Sequence, residues 1–328
     1  MNVVFSVLVA VYNAEPYLRR CLDSLRNQTL REIQIICVDD ASTDASLAIL
    51  HEYAKADSRI EVHHLHENRG QAHARNVALG YARGQFITFL DSDDWMATDA
   101  LQCCADAFFT DADDVDAVLF KVYYAFSDGR QEIYATQTDP MSGEEAFRLS
   151  LTWKIHGWYA IRQAIHKKYP YDETCKSYSD DNTTRIHYLH CRKVAFCDGT
   201  YYYWQNQQSV THAVGARRFD RLRANESMKR QLIEENVSEA DLNEFETVRM
   251  LVLVDSYYFY YQNRRKMTKQ TRQFALSEMR RVWGNIEKER VKPKLRRHFG
   301  YCLLRPSWLL FRAQEETYFF LRKLFHKN

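Results

Sequence analysis

Three almost unbroken apolar runs in the first ninety residues constrain the fold more than any other feature. Phe5–Val11, Ile33–Val38 and Phe86–Leu90 lack the polar alternation of a half-exposed strand. Runs of this kind are expected of parallel strands covered on both faces. Between the first two, Leu18, Cys21, Leu22 and Leu25 repeat at i, i+3, i+4, i+7, which is one helical face within Glu15–Asn27. Thr43-Asp44 can cap a second helix carrying Leu47, Ile49 and Leu50. Ile60–His64 reads as a further strand and Gln71–Ala82 as a third helix. The order β-α-β-α-β-α-β predicts a doubly wound, mainly parallel α/β sheet.

Each apolar run stops at polar residues. The first ends at Tyr12-Asn13, the second at Asp39-Asp40 and the last at Asp91-Ser92-Asp93, with Asp94 next. In open α/β sheets, ligands bind beyond the carboxyl ends of the strands, where strand order reverses. These segments therefore converge if their strands are near neighbours. Three carboxylates within four residues repel one another. A divalent cation with a phosphate-bearing substrate relieves that repulsion. An acidic turn facing water accounts for the same ten residues equally well. No GxGxxG follows the first strand and no GxxxxGK[ST] occurs, which excludes a dinucleotide fingerprint and a P-loop.

The stretch SVLVAVYNAEPYLRRCLDSLRNQTLREIQIICVDDASTDAS, followed by ENRGQAHARNVALGYARGQFITFLDSDDW, resembles the family 2 glycosyltransferases of the GT-A fold. The resemblance is close from about residue 5 to 125 and looser to about 212. It implies a nucleotide-sugar donor, most often a UDP-sugar, with Mn²⁺ or Mg²⁺ and a single inverting displacement. The implied product is a sugar added to a glycan or lipid-linked acceptor in cell-surface polysaccharide synthesis. By the resemblance, Val11 and Asn13 line the nucleotide pocket and Asp40 faces the base with Asp39 beside it. Asn68, Gly70, Arg75 and Asn76 shape the loop and helix that close over the nucleotide. Asp91 and Asp93 form the metal motif, with Asp93 the direct ligand, and Asp91 and Ser92 also border the nucleotide sugar. The family often has Pro in place of Ala10 and Gly in place of Ala41, and alanine makes a positive φ at residue 41 less comfortable.

The acceptor side departs further from the pattern. The family's Glu-Asp pair, whose Asp deprotonates the acceptor hydroxyl, matches Asp180-Asp181 in KSYSDDNTTRIHYL. Asp181 aligns with the base and Asp180 replaces the Glu. Ser179, Asp180 and Asp181 are also good capping chemistry for the helix that follows. VAFCDGTYYYWQNQQSVTH resembles the family's strand, turn and aromatic strand, then a loop that brings Ser209 and His212 to the diphosphate or metal. His212 is a further metal ligand on this reading, and a solvated loop histidine on the plain one. Trp153, Trp158 and Tyr159 either stack on an acceptor sugar or belong to the core. A GT-A-like module that holds a nucleotide sugar without turnover is the alternative function.

The remaining features bound the setting. At 328 residues the chain suits a catalytic domain over 1–215, with a nucleotide-sugar half (1–125) and an acceptor half (126–215), plus a helical region over 216–328. A net charge of +2 speaks against a nucleic-acid partner. The eight cysteines form no CxxC pair, which points to a reducing cytoplasm. No charged and apolar leader precedes the first strand, so no signal peptide is expected. The tail Lys292–Asn328 holds nine Lys/Arg against Glu315 and Glu316, among many aromatic residues. It suits the inner face of an anionic membrane, and equally a helix docked on the catalytic domain.

Overall fold

The computed structural model describes residues 2–110, 114–135, 138–178, 180–205, 214–296 and 307–325. It divides into two compact units, Met1–Gln207 and Gln208–Asn328.

The first unit is built on one mixed sheet. Strands β1 (Phe5–Val11), β2 (Ile33–Asp39), β3 (Ile60–His64) and β4 (Phe86–Phe89) alternate with helices α1 (Glu15–Arg26), α2 (Ser46–Ala56) and α3 (Gln71–Tyr81). The chain continues through β5 (Trp95–Met96), α4 (Ala100–Thr110), β6 (Val115–Ala125), β7 (Gln131–Ile133) and β8 (Met141–Ser142). It ends with α5 (Gly143–Leu151), β9 (Tyr159–Arg162), α6 (Gln163–Lys168), α7 (Asp180–Leu189) and β10 (Lys193–Trp204). The strand order is β3-β2-β1-β4-β9-β6-β10-β5, with β7 on β6 and β8 on β10.

β1 pairs in parallel with β2 on one side and β4 on the other. The order therefore reverses beside β1, and the ends of β1, β2 and β4 open into one crevice. All residues of β2 are buried, as are all of β1 except Ala10, which matches helices on both faces. Leu18, Cys21, Leu22 and Leu25 of α1 are all buried, as their spacing predicts. α2 starts two residues beyond Asp44, whose Oδ1 accepts the Ser46 N–H and whose Oδ2 accepts that of Glu15.

One expectation is corrected here. VAFCDGTYYYW forms a single strand, β10, and not a strand, a turn and a second strand. The predicted turn is a register shift between Phe196 and Thr200 in the pairing of β10 with β6. The extra residues are absorbed by a bulge, which re-aims the side chains that follow it. Gly199 sits there because a Cβ would lie 2.5 Å from the Ala100 carbonyl oxygen.

The second unit is helical. A short 3₁₀ turn at Ala216–Phe219 leads into α8 (Asp220–Glu234), α9 (Glu239–Asn263), α10 (Lys269–Asn285), α11 (Pro293–Arg296) and α12 (Trp308–Leu324). Ser238, Thr268 and Ser307 cap α9, α10 and α12, each accepting a backbone N–H three residues on. Its core gathers Phe219, Met250, Leu253, Tyr257, Met279, Phe311 and Phe319. No described helix is long and apolar enough to cross a membrane.

Candidate active site

The strand-end loops are fastened to one another before any ligand is considered. The Asp40 N–H donates to the Val11 carbonyl at 2.8 Å. Asn13 adopts φ 49°, and its Oδ1 accepts the Thr43 N–H at 2.8 Å while its own N–H donates to Ser42 Oγ. Ala41 takes φ 60°, the left-handed backbone that a glycine would adopt without strain.

Asp39 and Asp40 divide their work unexpectedly. Both Asp40 carboxylate oxygens are taken, by the N–H groups of Arg69 and Gly70 at 2.8 Å each. Asp40, the position expected to face the base, therefore engages the loop before α3. The two donors immediately precede Gln71, so the carboxylate fixes the turn that leads into α3. Asn68 closes the same turn by donating to the Asp40 carbonyl at 3.3 Å. Gly70, at φ 97°, would place a Cβ 3.0 Å from the Lys176 Cα. Asp39 is fully buried; its Oδ2 accepts from Ser42 N–H and meets His64 Nδ1 at 2.8 Å. Its Oδ1 is buried with no hydrogen-bond partner among the described residues.

The four residues after β4 separate into distinct roles. Asp91 is a quarter exposed and its Oδ1 accepts from Arg75 Nη2 at 2.5 Å and Gln71 Nε2 at 2.7 Å. Burial raises its pKa despite the opposing Arg75 charge, and Asp180 adds to the rise. Ser92 and Asp93 are part-exposed at the mouth. The Asp93 carbonyl accepts from Arg20 Nη2 at 2.7 Å, and the Arg20 guanidinium lies 3.8 Å over Trp95 and 4.7 Å from the Trp204 ring. Asp94 is fully buried and accepts from the Tyr201 hydroxyl and the Trp204 N–H, both at 2.7 Å. Burial, then Asp91 and Asp93, pushes its carboxyl well above the usual range. Tyr201 also accepts the Asp91 N–H, so β10 braces the whole turn.

Arg75 joins this cluster to the acceptor side. Its side chain is 1% exposed, stacked 4.1 Å over Phe89, with Nη1 3.9 Å from the Asp180 carboxylate. Burial opposes its charge, yet Asp91 and Asp180 outweigh that and raise its pKa. Arg75 therefore bridges carboxylates from the helix expected to close over the nucleotide. Asn76 lies on the same helix and is held by its neighbours. Its Oδ1 accepts the Tyr171 N–H and its Nδ2 donates to the Tyr171 carbonyl and Glu173, so its amide straps α3 to segment 171–173.

Asp180 and Asp181 open α7, both part-exposed. Behind them the helix is buried from Asn182 to Tyr188. Arg185 is buried one turn on, 4.6 Å over Trp153, and its pKa is lowered by burial against the pull of Asp181 and Asp180. His187 is held on both nitrogens, by the Tyr159 hydroxyl at 2.6 Å and the Tyr169 carbonyl at 2.7 Å. Tyr159 is thus a buried brace, not a sugar platform. Trp158 packs among Tyr134, Tyr201 and Tyr203. Ser179, Ser209 and His212 lie outside the described residues.

Among the described residues, no three His, Cys, Asp or Glu side chains are grouped to hold a metal by themselves. Asp91 and Asp93 supply hard oxygen donors at one strand end. Mg²⁺-type sites use one or two carboxylates completed by substrate phosphates, and this donor set fits that pattern. Gln71, Arg20, Tyr201 and Trp204 were not singled out from the sequence. The aromatic run Thr200–Trp204 was a signal for the last two, and nothing local marked Arg20.

Known proteins are similar to this chain in sequence and in fold. EpsH of Bacillus subtilis is 49% identical over 123 residues, 38% of this chain and 35% of EpsH. The glycosyltransferase GlyG of Streptococcus pneumoniae is 31% identical over 223 residues, 64% of this chain and 73% of GlyG. The match thus spans about a third of the first relative and nearly three quarters of the second. A crystal structure of Staphylococcus aureus TarS 1–349 in complex with UDP-GlcNAc superposes with a TM-score of 0.70 at 22% identity, covering 96% of this chain and 91% of that one. At that identity the likeness speaks to the GT-A fold. The model of glycosyl transferase family 2 matches residues 6–172, the stretch that holds β1 to β4, the Asp91–Asp94 turn and α3, and on this match the chain belongs to that family.

Proposed function

We propose that the chain is a metal-dependent, inverting glycosyltransferase that moves a sugar from a UDP-sugar to a glycan or lipid-linked acceptor in bacterial surface-polysaccharide synthesis. One observation carries this reading. Arg75 ties the strand-end carboxylate Asp91 to Asp180 at the start of α7. A charge-handling site and a pair of candidate bases therefore share one crevice, although they lie some ninety residues apart in sequence. The UDP-GlcNAc complex of the TarS structure supports the donor class.

The roles follow from the chemistry each group has available. Val11 and Asn13 border the nucleotide, and the unpartnered Asp39 Oδ1 takes an N–H of its base. Asp40 and Gly70 shape the loop beside it. Asp93, with Asp91, holds Mn²⁺ or Mg²⁺, which when bound neutralises the departing diphosphate. Gln71 and Arg75 fix Asp91 so that its remaining oxygen faces the crevice. Asp181 accepts the proton of the acceptor hydroxyl as that oxygen bonds to the anomeric carbon and the carbon–diphosphate bond breaks. Asp180, held toward Arg75, sets the direction of the pair. None of the seven described cysteines is disulfide-bonded, which supports a reducing cytoplasm as the setting.

Hydrolysis of a panel of nucleotide sugars by the purified protein, with and without Mn²⁺, tests this. Metal-dependent release of UDP from one UDP-sugar, lost in Asp93→Asn, is expected. UDP binding with no turnover of any donor would favour the binding-module alternative.

A further inference from the structure

α12 has two apolar faces and the helical unit uses one. Trp308, Phe311 and Phe319 are buried in that unit's core. On the other side, Leu310 is 48% exposed, Phe320 56% and Leu324 57%, with Leu309 at 70% and Phe325 at 71%. Leu310, Ala313, Thr317, Phe320 and Leu324 follow one another at three- or four-residue steps, and all are exposed. That spacing makes them one continuous stripe along the helix. Scattered surface apolar residues need no explanation, whereas a contiguous stripe marks an interaction site.

Charge selects the partner. The net charge of +2 conceals a strong division between the two units. Residues 208–328 hold 25 Lys/Arg against 14 Asp/Glu, and residues 1–207 hold 20 against 29. Exposed Lys323 borders the stripe on α12 itself. A basic unit carrying an apolar stripe attracts an anionic surface, whereas two copies meeting through this unit would bring like charges together. No described helix is able to span a bilayer, so the geometry is that of a helix lying in the interface.

We propose that α12 docks on an anionic lipid bilayer, with Leu310, Phe320 and Leu324 among the acyl chains and the unit's Lys and Arg side chains at lipid phosphates. This narrows the membrane expectation for Lys292–Asn328 to one face of one helix. It does not rest on the proposed reaction, and its test involves no sugar nucleotide.

The test is co-sedimentation of the full chain with vesicles of phosphatidylcholine alone and with about a third phosphatidylglycerol, at low and high salt. Binding to the anionic vesicles only, weakened by salt, is expected. The triple variant Leu310→Ser, Phe320→Ser, Leu324→Ser should lose about tenfold or more in partitioning while its circular dichroism and melting temperature stay those of the parent. Because these side chains are exposed, the fold does not depend on them. Lys323→Glu alone should weaken binding to anionic vesicles by a smaller factor, and serves if the triple variant misfolds. Failure of the parent to bind anionic vesicles at low salt would overturn the proposal, as would equal binding by the well-folded triple variant. A concentration-dependent dimer that the triple variant abolishes, without vesicle binding by the parent, would assign the stripe to a second copy instead.

Discussion

The carboxylates after β4 and those at the start of α7 are both acidic clusters, and the fold treats them in opposite ways. Asp91 and Asp94 are wrapped in donors: Arg75 and Gln71 for one, Tyr201 and the Trp204 N–H for the other. Asp180 and Asp181 stand part-exposed at a helix start, with a long Arg75 contact for Asp180 and buried Arg185 one turn behind. A wrapped carboxylate is a fixed point, suited to holding a charged ligand in one geometry. A part-exposed one has room to meet a hydroxyl and accept its proton. Position along the crevice, and not residue type, thus divides the labour among these four aspartates.

The largest effect should come from the side whose chemistry is proton transfer. Asp181→Asn is expected to lower turnover by about 10²–10⁴ while the affinity for UDP-sugar stays near that of the parent. Steady-state kinetics with isothermal titration of UDP checks this. If Asp180→Asn shows that loss and Asp181→Asn does not, the base is the other member of the pair.

The link between the regions comes next. Arg75→Met keeps the bulk of the side chain and removes its charge, leaving the partly buried Asp91 with the Gln71 amide but without its cation. A loss of about 3–5 kcal/mol in unfolding free energy is expected. Urea denaturation measures it. A loss below about 1 kcal/mol would mean the regions are fastened by something else.

Acid should pull the two regions in opposite directions. The Asp91 and Asp94 carboxyls have raised pKa values in the fold, so the folded chain binds their protons more readily than the unfolded chain does. Through them, lowering the pH from neutral favours folding. Burial depresses His187 on α7 to about 4 and His156 to about 3. Their contribution is complete above the unfolded value near pH 6.5. It is lost as pH falls toward 4, where the unfolded chain takes up protons the folded chain refuses. The double variant His156→Gln, His187→Gln should be less stable than the parent at pH 7. The gap should narrow as the pH falls to 5, by up to roughly 1.4 kcal/mol per unit for each histidine. Unfolding curves at both pH values read it directly, and a constant gap would remove the histidines from the account.

The smallest effect tests the second strap. Asn76→Ala frees segment 171–173 from α3 and should cost about 1–2 kcal/mol. UDP affinity should stay unchanged, because the amide faces Tyr171 and Glu173 and not the crevice. A tenfold weaker affinity for UDP in this variant would return Asn76 to the nucleotide pocket.

Much of this was legible in the chain. Runs such as Ile33–Val38 and the Leu18/Cys21/Leu22/Leu25 spacing fix strands and helices because period and burial are local properties. The polar residues that stop each run mark the crevice, because strand ends are where a parallel sheet opens. Partner choice was not legible. Asp39 and Asp40 are neighbours of one type, yet one clamps the Arg69–Gly70 backbone and the other keeps a buried oxygen unpartnered. The alternation of side chains along an extended segment sends them to different surroundings, and only the packed loops say which is which.

By itself, then, the sequence determined the parallel sheet, the crevice and the residue types lining it, since hydrophobic period and strand-end chemistry are written residue by residue. Tertiary structure alone decided that Arg75 joins Asp91 to Asp180, that Arg20 lies over Trp95, and that one face of α12 is exposed among the described residues. Those outcomes depend on contacts between segments distant in the chain, and on which surfaces the remaining core has already covered.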